Sequence, residues 1–153
     1  MESQDRSLGL NIDDLRSTIK MDVDGLIGVE SATEYWGLST FYSFRTIMLF
    51  NDNTMDRNGT EFLGSLFVPD VNEENTVYLN KHTRVTDKEQ TVCDMVRYNR
   101  HEFHLYETLI SAFDEGCVDL ERLEKLARGY GIWDKMLEEL EQARIAEEED
   151  NEC

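Results

Sequence analysis

At Thr86 the hydrophobic pattern of this chain changes period, and the change limits the folds open to it. Before that point, Thr40 to Phe50 sets Tyr42, Phe44, Met48 and Phe50 in alternation with Ser43 and Arg45, the two-residue period of a strand rich in aromatic and β-branched residues. Glu61 to Val68, ended by Pro69, and Thr76 to Leu79 are the next strand candidates. Asn58-Gly59 between the first two is a tight-turn signal. After Thr86 the apolar residues recur at helical spacing, first as Val92, Met95 and Val96, then as Leu105, Leu109 and Phe113 ending near Gly116. Leu120, Leu123, Leu126 and Ala127 follow, closed by Gly129 and Gly131, and Ile132, Met136, Leu137 and Leu140 mark a last helix. The expected fold is α+β: a small, mostly antiparallel sheet of about three or four strands followed by a C-terminal half of four helices.

Residues 1–28 read as a polar lead-in with a short helix over Ile12 to Ile19, N-capped by Asn11. Ser31-Ala32-Thr33-Glu34 has the pattern of a capping box, opening a short helix that stops near Gly37. Thr86-Asp87-Lys88-Glu89 repeats the pattern, with Asp87 well placed against the helix dipole. Residues 29–146 then form one domain, and 147–153 an acidic tail expected to fray.

Charge narrows the function. The chain carries 33 acidic residues against 15 Lys and Arg, a net −18. Nucleic-acid binding is driven by Lys and Arg neutralising phosphates, so direct DNA binding is not expected. The imbalance is steepest in residues 102–153, where 16 acids face 5 bases, a net −11; residues 1–101 carry 17 and 10, a net −7. The exception is the stretch from Lys81 to His104, which holds Lys81, Arg84, Lys88, Arg97 and Arg100. Three widely spaced cysteines, Cys93, Cys117 and Cys153, show neither a disulfide framework nor a zinc knuckle. No signal peptide and no membrane-length apolar run stands out, so a cytoplasmic protein is expected.

Catalytic signatures are sparse. Gly25 and Gly28 lack the remainder of a phosphate loop, and there is no Gly-x-Ser-x-Gly elbow. His101, His104 and Glu107 recur at three-residue spacing and could share a helix face, but the zinc-hydrolase pattern needs histidines four apart. Cys93 falls on the inferred core side of its helix, where a thiol is ordinarily inert. The expectation is a binding module with no catalytic residue, no metal and no cofactor.

One segment resembles a known family. Thr83 to Tyr98, reading TRVTDKEQTVCDMVRY, is similar to the hallmark of the AbiEi family of antitoxins: a strand running into a helix with a Glu-Arg-Thr-x-x-Asp core, a hydrophobic pair and Arg-Tyr. Glu89, Thr91, Asp94, Arg97 and Tyr98 fit it. Ser31 to Ser39 also resembles the family's Ser-Ala-x-x-x-x-Gly-Leu helix, and DLERLEKLARGYGIWDKMLEELEQA its downstream helix pair broken by a glycine turn. The likeness spans roughly residues 30 to 143. Gln90 stands where the family usually has Arg and Lys88 where Pro is common, which removes one ion pair expected of the motif. Thr91 and Asp94 lie on one helical face, where Asp94 is expected to accept hydrogen bonds that lock the helix to a neighbouring strand or loop.

The resemblance implies an antitoxin that suppresses a nucleotidyltransferase-like toxin, directly or downstream, in phage defence. Family members typically carry an N-terminal winged helix that reads DNA; the segment before Glu30 is too short for one, so the antitoxic half alone is expected. For a direct contact, Lys81, Arg84, Lys88 and Arg100 or the acidic helices from Glu102 to Glu141 are the candidate surfaces, with Tyr130 and Trp133 as anchors. A reading from another class is an acidic mimic of DNA, occupying the basic groove of a nuclease or of a CRISPR or restriction effector. An enzyme built on His101, His104 or Cys93 is the remaining alternative.

Overall fold

Leu26 and Ile27 are neighbours on a three-residue strand, and both are buried, each in a different core. They lie at the centre of the computed structural model, which describes residues 14–41, 45–50, 66–68 and 71–152. The chain order is α1 (Leu15–Lys20), β1 (Gly25–Ile27), α2 (Val29–Trp36), β2 (Met48–Phe50), β3 (Leu66–Phe67), β4 (Thr76–Tyr78) and β5 (Thr83–Thr86). Four helices complete it: α3 (Lys88–Arg97), α4 (Glu102–Phe113), α5 (Leu120–Tyr130) and α6 (Trp133–Glu152). The fold is α+β, with a five-stranded sheet ordered β3-β2-β1-β5-β4 and a helical C-terminal half.

The sheet is mixed where a mostly antiparallel one was expected. β1 pairs antiparallel with β2 but parallel with β5, β2 pairs parallel with β3, and β4 and β5 form an antiparallel hairpin. The physical reason is connection length. Residues 51–65 separate β2 from β3, the length of a crossover rather than a hairpin turn. The span read as a lead-in supplies the central strand: Gly25-Leu26-Ile27 is too short to show alternation and is covered on both faces. Successive residues point to opposite faces. Ile27, Met48 and Val85 therefore pack with Leu15 of α1 and Ala32 of α2, while Leu26 and Leu49 join Val92, Leu109, Leu123, Met136 and the rest of the helical core.

Several boundaries move. Helix α1 begins at Leu15, capped by Asp14, whose carboxylate accepts from the Ser17 amide at 2.8 Å; Asn11 and Ile12 lie outside the described residues, as do Tyr42 to Phe44, Asn58-Gly59 and Pro69. Helix α2 starts at Val29 after Gly28, so Ser31 is inside it, and its hydroxyl accepts instead from the Ile47 amide at 2.8 Å. Gly37 ends α2 in the left-handed region at φ 72°, as Gly131 ends α5 at φ 74°. Residues 147–152 continue α6 as helix rather than fraying after Ala146. Packing runs chiefly between α4 and α6, α2 and α3, and α3 and α5, which leaves α3 in the middle. No helix among the described residues is long and apolar enough to cross a membrane.

Candidate functional site

Helix α3 is buried continuously from Glu89 to Val96, although four of those residues are Glu, Gln, Thr and Asp. A polar side chain in such a place must find a partner inside the protein. Its N-cap is Asp87, one residue later than the capping-box pattern suggests, because Thr86 is still the last residue of β5. The Asp87 carboxylate accepts from the Gln90 amide at 2.9 Å. Thr91 then bonds back to the strand: its hydroxyl lies 2.6 Å from the Thr86 hydroxyl and donates to the Asp87 carbonyl at 2.7 Å.

Glu89 reaches sideways to α5. It accepts from the Asp119 amide at 2.9 Å and from the Arg122 guanidinium. The same guanidinium donates to Asp87 at 2.9 Å and to the Asn75 side chain at 3.1 Å. The hydrogen bond to Asp87 is the main reason the Arg122 pKa is raised, outweighing the opposing effect of burial. Arg122 thus fastens the start of α3, the start of α5 and the loop before β4.

One turn further along, Gln90 and Asp94 form the second half of the network. Gln90 Nε2 donates to Asp94 Oδ1 at 2.8 Å and lies 2.9 Å from the Tyr130 hydroxyl, while Asn75 Nδ2 donates to Gln90 Oε1 at 2.9 Å. Arg97 donates to Asp94 at 2.7 Å, in a pair whose side chains are 6 % and 2 % exposed. The Arg97 guanidinium sits 4.0 Å from the Tyr130 ring centroid and 4.8 Å from that of Tyr98. Burial opposes its charge, but Asp94 beside it prevails and its pKa is raised. Asp94, Arg97 and Tyr98 are therefore brought together with Tyr130, while Glu89 turns to α5 and Thr91 to β5. The lock to the strand is Thr91, whereas the bonds Asp94 accepts from Gln90 and Arg97 stay within α3. Gln90 is the neutral link between Asn75, Asp94 and Tyr130.

Beside this network an open groove runs between the loop before β4 and α5, lined by Asn72, Glu74, Asn75, Arg122, Lys125 and Tyr130 among others. Asn72, Asn75 and Arg122 are the members that sequence reasoning missed. The only local signal was the turn-forming character of the two asparagines; their meeting with Arg122 is a long-range event.

The basic candidates are dispersed rather than gathered. Lys81 is exposed at the β4–β5 turn, and Arg84 on β5 pairs with Glu73 at 2.6 Å and lies over the Tyr78 ring. Lys88 sits over the Trp36 ring at 5.6 Å, and Arg100 donates to buried Glu30 at 2.8 Å. Helix α3, about 15 Å long, separates Lys88 from Arg100. Tyr130 is half-buried within the network, and Trp133 packs against Phe113 and under Arg128.

His101 and His104 have ring centroids 5.4 Å apart, and His104 Nδ1 is within ion-pairing distance of Glu107, 3.5 Å, without hydrogen-bonding geometry. Glu107 is engaged by Thr40, whose amide and hydroxyl both donate to it. Among the described residues no group of three or more His, Cys, Asp or Glu is placed to hold a metal. Cys93 is fully buried, which is the main reason its pKa is pushed up to about 12, far from thiolate chemistry at neutral pH. Compared with known proteins, the chain matches no protein-family model and no curated protein.

Proposed function

We propose that this chain is a non-enzymatic, antitoxin-like binding domain that neutralises a nucleotidyltransferase-type toxin in phage defence, acting in the cytoplasm. The observation that supports it is the inward commitment of the residues that carry the AbiEi resemblance: Thr91 bonds to Thr86 of β5, Glu89 to Asp119 and Arg122 at the start of α5, and Asp94 to Arg97 within α3. They act as the fastening of the fold, and recognition falls to the surface that this fastening presents. One such surface is acidic. On α6, about 30 Å long, Asp134, Glu138, Glu141 and Glu147 are exposed.

That acidic helix also favours a second reading, a mimic of the DNA phosphate array seated in a nuclease groove. Salt separates the two. A tagged chain co-expressed with the nucleotidyltransferase and washed at low and then high salt is expected to keep it at both, as a packed contact does. Capture of a nuclease that washes off at high salt would move the function to mimicry, because screening dissolves a purely electrostatic contact.

A further inference from the structure

Helices α4 and α6 pack along much of their length, yet a cleft stays open between them. Small side chains leave the room: α6 sets Ala143 and Ala146, three residues apart on one face, beside Ile110 of α4. The cleft holds about 420 Å³, within the range of sites that bury a ligand. Phe103 and Tyr106 of α4 line it too, and Phe103 is 54 % exposed. Three carboxylates complete the lining: Glu107 of α4, Glu115 just after it and Glu147 of α6. Thr40 already engages Glu107, whereas Glu115 and Glu147 have no side-chain partner among the described residues. Arg144, three residues before Glu147, bonds Asp114 at 2.6 Å instead. None of the described residues lining the cleft is Lys, Arg or His. Apolar surface beside two unpaired carboxylates matches a group with an apolar stem and a cationic head.

We infer that this cleft receives an arginine side chain of a partner protein. Its methylene stem lies on Ile110, Ala143 and Ala146, and its guanidinium meets Glu115 and Glu147 with charge-assisted hydrogen bonds. Two features select arginine over lysine. A planar guanidinium stacks on the aromatic faces that Phe103 and Tyr106 supply, and its donors point in several directions, which suits carboxylates carried by different elements. It is also more weakly hydrated than an ammonium, so it enters a partly apolar cleft at lower cost. A residue within a chain is favoured over the free amino acid, because the acidic lining repels a free α-carboxylate. Arginine seated in a pocket is a recurrent anchor of protein interfaces. The inference rests on the binding role proposed above and places one anchor of that contact beside Glu147, at the far end of the acidic surface of α6.

The probe is Nα-acetylarginine N-methylamide, an arginine capped as it is within a chain, titrated into the full-length protein and followed by amide NMR shifts. The ionic strength is set where charge is screened beyond about 8 Å. Saturable shifts are expected at Ile110, Ser111, Ala143 and Ala146, with a Kd on the order of 1–10 mM for so small a ligand. Glu115→Gln with Glu147→Gln should weaken binding about tenfold or more, with thermal melts matching the wild type. The equally capped lysine and norleucine, and free arginine, should all bind more weakly. Absence of a saturable shift would overturn the proposal, as would shifts spread over every exposed acidic stretch or an undiminished affinity of the double variant. Capped lysine or norleucine binding as tightly would overturn the choice of arginine, and free arginine binding as tightly would overturn its assignment to a protein chain. The probe needs no toxin, so its failure strikes the cleft alone, and failed capture of the nucleotidyltransferase strikes the proposed function alone.

Discussion

Asp94 shows what a buried charge can do for a fold. It is 1 % exposed, it accepts from Gln90 and Arg97, and Arg97 in turn stacks on Tyr130. Replacing a buried ion pair with apolar groups can be neutral, but removing one partner strands the other. Asp94→Ala should therefore lower unfolding free energy by about 3–5 kcal/mol, read as a fall in the denaturant midpoint. A midpoint within experimental error of wild type would show that the pair does not hold α3 in place. The residues of this motif were legible in the sequence because they cluster within one helix. Their roles were only half legible: Thr91 reaches the strand through Thr86, while Arg122, which ties Glu89 to Asp87, comes from a helix that no local pattern connects to α3.

Among the elements, helices were easier to read than strands. The period of α4, α5 and α6 and the glycines at 37 and 131 stood out because each is a local property. Strand β1 did not, since three residues buried on both faces carry no alternation, and the parallel pairings depend on partners distant in sequence. Gly25, which opens β1, and Gly28, which follows it, give a test of how closely its neighbours approach. A Cβ at Gly28 would come within 2.4 Å of a branch methyl of buried Leu49, whereas one at Gly25 would meet only the terminal methyl of Met48 at 2.5 Å. Gly28→Ala should cost about 1–3 kcal/mol by overpacking, and Gly25→Ala clearly less because the flexible Met48 tip can swing aside. Thermal melts of the two variants check this, and equal losses would contradict the packing around β1.

For the whole molecule, the proposed function puts structure and recognition in different layers. The Asp94–Arg97 pair lies inside, and the cluster of Asp87, Glu89 and Arg122 is half-buried beside the groove, both at the junction of sheet and helices. Among the described residues, acidic side chains are exposed along α6, at Asp134, Glu138, Glu141 and Glu147. Under the antitoxin reading, the outer layer meets the toxin and the inner layer keeps the outer one in shape. The most direct test is the double reversal Glu138→Lys with Glu141→Lys, two exposed positions one turn apart on α6, in the co-expression capture of the nucleotidyltransferase. The account predicts a variant that melts like the wild type and retains at least about tenfold less toxin, the loss expected when a central contact worth about 1.4 kcal/mol or more is removed. Undiminished capture by the folded variant would contradict the assignment of recognition to the acidic helical surface.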